Sequence, residues 1–448
     1  MLRACLILLA LLLPDVAEAQ MRHDKEDRGE YLARVGDCVS CHTAPGKPNY
    51  GGGLAINSPF GAIYSTNITP DKQYGIGAYS LDDFKRAVRQ GVARDGHHLY
   101  PAMPYVSFSA TSDADMAALY DYFKHQVAPV HIKPPQTQLP FPLNQRWGMA
   151  LWNLFFAPKT TPKPSAKNVG DAQWARGAYL VQTLGHCGAC HTPRGVAYNE
   201  RGTTSEATTY LAGGTLDNWH APNLRGDTDT GLGRWSEGDI AAFLKTGHGA
   251  NVAAFGSMTQ VVENSSQFMS DADRLAIAHY LKSLPPQGKA SPVPAQVSGR
   301  ERPGAGIYAS ACARCHGLDG KGTEKAPALA GNPAVVSADG TSVMRIVLKG
   351  GRTAEVTGGA APQFMPGFEP LNDREIAEVA TYVRQDFGAD APAATPGTVA
   401  QLRRALKGQP VQSVPSINGG SQSAKPARSS SRSTAKSSSR PGAGRPGA

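Results

Sequence analysis

Three pentapeptides of one pattern punctuate the chain: Cys38-Val39-Ser40-Cys41-His42, Cys187-Gly188-Ala189-Cys190-His191 and Cys312-Ala313-Arg314-Cys315-His316. Thiols three residues apart stand about one helical turn from each other, so both reach one edge of a porphyrin and add across its two vinyl groups. The adjoining imidazole then meets the iron from one face. Zinc sites need paired motifs close in sequence, and a thioredoxin-like dithiol needs one motif in a βαβ unit; these widely separated motifs fit neither. The spacing therefore predicts three covalent haem c groups, held through Cys38, Cys41, Cys187, Cys190, Cys312 and Cys315. His42, His191 and His316 are the expected axial ligands, and electron carriage is the expected work.

The second axial ligand decides what such an iron does, since a thioether fills the site whereas an open position admits small ligands. Met103 in Tyr100-Pro101-Ala102-Met103-Pro104 and Met365 in Phe364-Met365-Pro366 sit in proline-bounded loops ahead of a closing helix. Met258, in Phe255-Gly256-Ser257-Met258-Thr259, is placed in a similar loop and is preferred to Met269, because its separation from His191 resembles that of Met103 from His42. Met116 and Met344 fall in apolar helical patterns and read as packing. His97, His98, His220 and His248 are rival ligands, read first as surface or hydrogen-bonding residues. Arg94, Arg225 and Arg352 are weak candidates for propionate partners.

The elements that must hold these residues recur with the motifs. Arg28-Gly29-Glu30-Tyr31-Leu32, Arg176-Gly177-Ala178-Tyr179-Leu180 and Gly304-Ala305-Gly306-Ile307-Tyr308 each read as a helix with a small residue where another helix crosses closely. Helix-period segments close the units at 113–125, 271–283 and 372–386, each after a capping residue. Repeats one and two also share middle phrases, Ser65-Thr66-Asn67 echoed by Ala221-Pro222-Asn223, and Ser80 to Lys85 echoed by Ser236 to Ala241. Long glycine-rich stretches lie between, and a covalently held apolar disc supplies the core they lack. The fold expected is all-α: three tandem cytochrome c domains at 20–130, 169–286 and 301–388. A proline- and aromatic-rich linker spans 131–168, a plainer connector 287–300, and a tail at 389–448 is too polar to fold. Within the first linker, Trp147 to Phe156 is an aromatic amphipathic stretch, expected to pack between domains or on a partner, or to lie in a membrane interface.

Residues 1–19 read as a secretory leader, with Arg3, an apolar run from Ala4 to Leu13 and Ala17-Glu18-Ala19 before the cut. The seventh cysteine, Cys5, lies within it, so no thiol remains for a disulfide. The net charge of +9 concentrates in the tail, where nine Lys or Arg and no Asp or Glu follow Thr398. Such a tail suits anionic lipid or plain solvation, and no nucleic-acid partner is expected. Nothing matches a dinucleotide fingerprint or a catalytic triad, so no catalytic residue for an organic substrate is expected.

The phrases Gly36-Asp37-Cys38-Val39-Ser40-Cys41-His42-Thr43, Tyr64-Ser65-Thr66-Asn67-Ile68-Thr69-Pro70-Asp71, Tyr74-Gly75-Ile76-Gly77 and Leu99-Tyr100-Pro101-Ala102-Met103-Pro104-Tyr105 carry a family resemblance. Over residues 25–388 the chain resembles the three-haem cytochrome c subunit of membrane-bound bacterial dehydrogenases, of the alcohol, gluconate, sorbitol and fructose types. The resemblance implies a separate catalytic subunit with pyrroloquinoline quinone or flavin, and delivery of electrons to ubiquinone at the periplasmic face of the cytoplasmic membrane. The basic serine-rich tail departs from the family pattern. Two rival readings are a haem enzyme such as a peroxidase, which needs an open iron, and a freely diffusing periplasmic carrier.

Overall fold

The computed structural model describes residues 28–157, 170–249, 252–288, 302–324, 326–388 and 391–409. The expected leader, most of the second connector and the tail beyond 409 lie outside these residues. The described chain is mainly helical, with three two-stranded antiparallel hairpins.

The first repeat runs α1 (28–35), α2 (Cys38–His42), the hairpin β1 (Ala55–Ser58) and β2 (Gly61–Tyr64), α3 (Leu81–Gln90), α4 (Tyr105–Phe108) and α5 (Asp113–His125). The linker contributes α6 (Gly148–Phe156). The second repeat follows the same order: α7 (Ala172–Gln182), α8 (Gly188–His191), β3 (Gly214–Leu216), β4 (Trp219–Ala221), α9 (Glu237–Thr246), α10 (Ser257–Asn264) and α11 (Asp271–Lys282). The third holds α12 (Ala305–Ile307), α13 (Ala313–His316), α14 (Pro333–Val336), α15 (Thr341–Lys349), β5 (Gly351–Arg352), β6 (Phe364–Met365) and α16 (Asp373–Tyr382). A last helix, α17 (Pro396–Ala405), comes after it.

Local chemistry explains the shared order. Ser80 with Asp83 and Ser236 with Asp239 form reciprocal capping boxes that start α3 and α9. The closing helices α5 and α11 start where Ser112 and Ser270 accept from the N–H groups of Asp115 and Asp273. The first and last helices of a repeat cross at glycine: a methyl group at Gly177 would run into the Ala276 carbonyl, and one at Gly29 into that of Ala118.

Packing joins repeats one and two more tightly than tandem domains require. Leu32, Val35, Met116, Leu119 and Phe123 of the first share one continuous apolar cluster with Trp174, Leu180, Ile277, Tyr280 and Leu281 of the second. The third repeat has its own cluster, built on Tyr308, Leu348, Ile376 and Val379. It meets the second repeat through a small apolar cluster of Ala254, Val262 and Ala354, and through polar contacts. The His220 imidazole lies 2.9 Å from the Ser337 hydroxyl, Arg345 stacks over Trp219 at 4.2 Å, and Arg352 pairs with Glu263.

The tail expected to stay unfolded from residue 389 folds in part. Thr395 caps α17, Pro396 occupies its first turn, and Val399, Leu402 and Leu406 are buried against the third repeat. Averaged over sixty residues the composition is polar, but these three apolar residues fall on one helical face and suffice to dock a short helix. Helix α6 divides its faces. Trp152 donates to the Ala197 carbonyl at 3.0 Å and Asn153 accepts from Tyr105 at 2.7 Å, whereas Trp147 and Phe155 are 71% and 70% exposed. Among the described residues no helix is long and apolar enough to cross a membrane.

Candidate haem sites

Each Cys-x-x-Cys-His lies on a short helix, α2, α8 or α13, or on the turn leading into it. The three imidazoles share one arrangement. Nδ1 of His42 lies 2.7 Å from the Thr66 carbonyl, Nδ1 of His191 2.7 Å from that of Pro222, and Nδ1 of His316 3.1 Å from that of Pro327. A carbonyl only accepts, so Nδ1 carries the proton in each ring and Nε2 keeps its lone pair. That is the tautomer an iron needs, with the ring aimed by the second hydrogen bond. Burial holds all three imidazoles below their ordinary pKa, His191 at about 4, so they are neutral bases at pH 7.

The echoed phrases of repeats one and two acquire a purpose here. The Thr66 and Pro222 carbonyls each precede an asparagine whose side-chain oxygen accepts from the backbone two residues on. Asn67 accepts from Thr69 at 2.9 Å, and Asn223 from Arg225 at 2.8 Å. Asn67 also donates to the Val130 carbonyl at 2.7 Å. The turn is thereby fixed, and with it the imidazole.

The cysteines fit covalent attachment. All six described ones are free thiols. Burial pushes Cys38, Cys41 and Cys187 up to about 12 and Cys312 to about 11, so these four are not tuned toward the thiolate of a redox dithiol. Among the described residues no cluster of three His, Cys, Asp or Glu could hold a bare ion.

The expected second ligands are half-buried at the rims of the apolar clusters: Met103 in the turn before α4, Met258 beside Ala254 and Val262, and Met365 on β6. Met258 is not in a loop. It is the second residue of α10, whose apolar spacing at 258, 261 and 262 has the helical period. Met116, Met269 and Met344 are buried core residues. The four rival histidines engage protein groups: His97 with Asp95, His98 with Asn153, His248 with the Thr246 carbonyl, and His220, on β4 and not in a loop, in the clasp to the third repeat. The three arginines do likewise. Arg225 is buried and donates to the Pro285 and Tyr210 carbonyls, Arg352 pairs with Glu263, and Arg94 lies 3.7 Å from Asp83.

Sequence reasoning missed two acids beside the motifs. Asp37, in the left-handed region at φ 48°, precedes Cys38; burial raises its carboxyl to about 7 against the pull of the Ser40 hydroxyl. Burial likewise lifts Glu200 to about 7, opposed by Arg194. The first two motifs are neighbours: His186 Nε2 lies 3.3 Å from the Gly36 carbonyl, and the Cys41 thiol feels that of Cys190.

The Cytochrome c family model matches residues 174–285 and 302–386. Over 424 residues the chain is 45% identical to the gluconate 2-dehydrogenase cytochrome c subunit of Pantoea cypripedii, covering 89% of this chain and 95% of that one. It is 45% identical over 378 residues to the cytochrome c subunit of the quinone-type alcohol dehydrogenase of Gluconobacter oxydans, 82% of this chain and 79% of that one. With the fructose dehydrogenase cytochrome subunit of Gluconobacter japonicus it shares 37% over 415 residues, 86% of this chain and 84% of that one. The chain belongs to this family of dehydrogenase cytochrome c subunits. As a cytochrome c subunit it is an electron-transfer protein with covalent haem c, related to the cytochrome and not the catalytic chains of those complexes.

Proposed function

We propose that the chain carries three haem c groups, one on each Cys-x-x-Cys-His, and relays electrons from a catalytic dehydrogenase subunit to ubiquinone at the periplasmic face of the cytoplasmic membrane. The observation that carries this reading is the threefold repetition of an imidazole held through Nδ1 by a backbone carbonyl beside two free thiols. When bound, the haem iron supplies reversible one-electron transfer. His42, His191 and His316, with Met103, Met258 and Met365, are the residues that would hold the three irons. The shared core of repeats one and two fixes the spacing of the first two groups. The apolar contact of Ala354 with Ala254 and Val262 and the polar clasp at His220, Arg345 and Arg352 seat the third repeat against the second.

The partner oxidises an alcohol, a sugar acid or a polyol with its own quinone or flavin cofactor. The export leader and the uncharged, exposed face of α6 support a peripheral seat on the membrane, with Trp147, Leu151, Leu154 and Phe155 in the interfacial layer. Intact mass of the exported chain tests the haem count: three haem additions on a chain starting at Gln20 are expected, and two would overturn it. Purification of the complex tests the role. A chain isolated alone and fully released from membranes by salt would instead fit the free carrier.

A further inference from the structure

Helix α10 carries more than Met258. Its start is pinned where Gly256, at φ 60°, lies so close to the Trp219 indole that a methyl group there would run into the ring. Its end is pinned where Asn264 donates to the Ser40 hydroxyl at 2.8 Å, inside the first Cys-x-x-Cys-His. Between these points Val262 is fully buried, packed with Ala254 and Ala354. A helix held at both ends and along one face is a fixed support for whatever leans on it.

What leans on it is the strand that leads to Met365. Arg352, on β5, forks onto Glu263 of α10: Nη2 donates to Oε2 at 3.0 Å, and Nη1 donates to Oε1. The same carboxylate accepts the Glu355 backbone N–H at 2.7 Å. The Glu263 side chain is only 15% exposed, so water competes little for it. Along its other edge β5 pairs with β6, placing Arg352 opposite Phe364 and Gly351 opposite Met365. Thr353 extends the ladder, donating its N–H to the Gln363 carbonyl at 3.0 Å. Strands of two residues hold no register unaided, so the support for Met365 comes from outside the hairpin. Glu263 supplies it.

We propose that Glu263 and Arg352 are positioning residues for the third iron, so that α10 sets the second ligand of two sites, Met258 from its own first turn and Met365 through β5. This rests on the reading above that Met258 and Met365 are iron ligands. A pair that merely docked the third repeat would act as Asp339 does, which joins the same two repeats through Thr215 and lies outside the hairpin, two residues before α15.

The test is carbon monoxide uptake by the reduced, haem-loaded protein. Arg352→Gln and Glu263→Ala should each take up one equivalent, about tenfold or more faster than any uptake by the parent. Combination identifies the opened iron: Arg352→Gln with Met365→Ala should still take up one equivalent, and with Met258→Ala two. Asp339→Asn, which loosens the same boundary, should take up none. Arg352→Lys keeps the charge and gives up the fork, and makes the same comparison should Arg352→Gln fail to load its haems. No uptake by the Glu263 and Arg352 variants, two equivalents in combination with Met365→Ala, or equal opening by Asp339→Asn overturns the positioning role. Met365→Ala without uptake overturns instead the ligand reading on which that role rests.

Discussion

Tyr31 donates a hydrogen bond of 2.5 Å to Asp273, 242 residues later in the chain, and Tyr179 makes the same bond to Asp115 with the repeats exchanged. Each tyrosine oxygen also accepts the backbone N–H of the capping serine, Ser270 or Ser112. Each aspartate is held from its own repeat as well, Asp273 by Arg176 and Asp115 by Arg28. The cap of either closing helix is thus completed by the other repeat.

Removing one hydroxyl leaves a buried aspartate short of a donor, so Tyr31→Phe is expected to cost about 1–2 kcal/mol. Tyr179→Phe should cost a similar amount, and the double variant close to the sum, since the bonds belong to separate caps. Denaturant midpoints give the comparison. Unchanged midpoints would show that the exchanged tyrosines do not join the repeats.

Asp37 supplies a pH dependence. Its folded pKa of about 7 lies above its ordinary value of 3.8, so the folded state binds more protons between these limits. The resulting stabilisation is complete below about pH 4 and is lost as pH rises through 7, a change of up to about 4 kcal/mol. Asn in its place keeps an acceptor for Ser40 and suits the left-handed backbone. Asp37→Asn should therefore be more stable than the parent at pH 8 and equal to it near pH 4. Parallel stability curves would remove the assignment.

Methionine replacement counts the closed irons. Met103→Ala, Met258→Ala and Met365→Ala should each let the reduced protein bind one equivalent of carbon monoxide, which the parent should not bind. Met269→Ala should instead lower stability by about 2–4 kcal/mol as a core truncation, with no new binding. If Met269→Ala opened an iron and Met258→Ala did not, the two roles would be exchanged.

The clasp to the third repeat is acid-sensitive. Burial would raise the Asp339 carboxyl, but His220, Thr341 and Thr215 outweigh it and hold the group well below 3.8. A depressed carboxylate stabilises above its ordinary pKa and loses that contribution as pH falls. Asp339→Asn is expected to lower stability at pH 7 by about 1–3 kcal/mol and to flatten the acid limb of the pH profile. Limited proteolysis should then cut the third repeat free sooner than in the parent.

Membrane seating turns on two rings. Replacing Trp147 and Phe155 together by serine removes two large exposed apolar groups, each worth up to about 3 kcal/mol if buried in the interface. The parent complex is expected to need detergent for release and the double variant to wash off with salt. Equal retention would place the attachment elsewhere.

The sequence was most informative where chemistry is local. A five-residue motif carries its own expectation of a haem, and the Ser112 and Ser270 caps mark their helices because a cap needs only neighbours three residues away. The crossing glycines were readable as well, although not which carbonyl each one meets. What stayed hidden depends on distant partners: Tyr31 carries no mark of Asp273, and the apolar face of α1 looks the same whether it meets one repeat or two. The loop placement of Met258 and the unfolded reading of the segment that forms α17 were misjudged for a different reason. Their helical periods are short, and a neighbouring glycine in one case and a polar tail in the other outweighed them.

The common core of repeats one and two bears on how the protein is made. Tyr31 and Leu32 leave the ribosome long before Asp273 and Tyr280, with which they are eventually buried. The first Cys-x-x-Cys-His thus stands on a segment whose interior is completed only when the far end of the second repeat arrives.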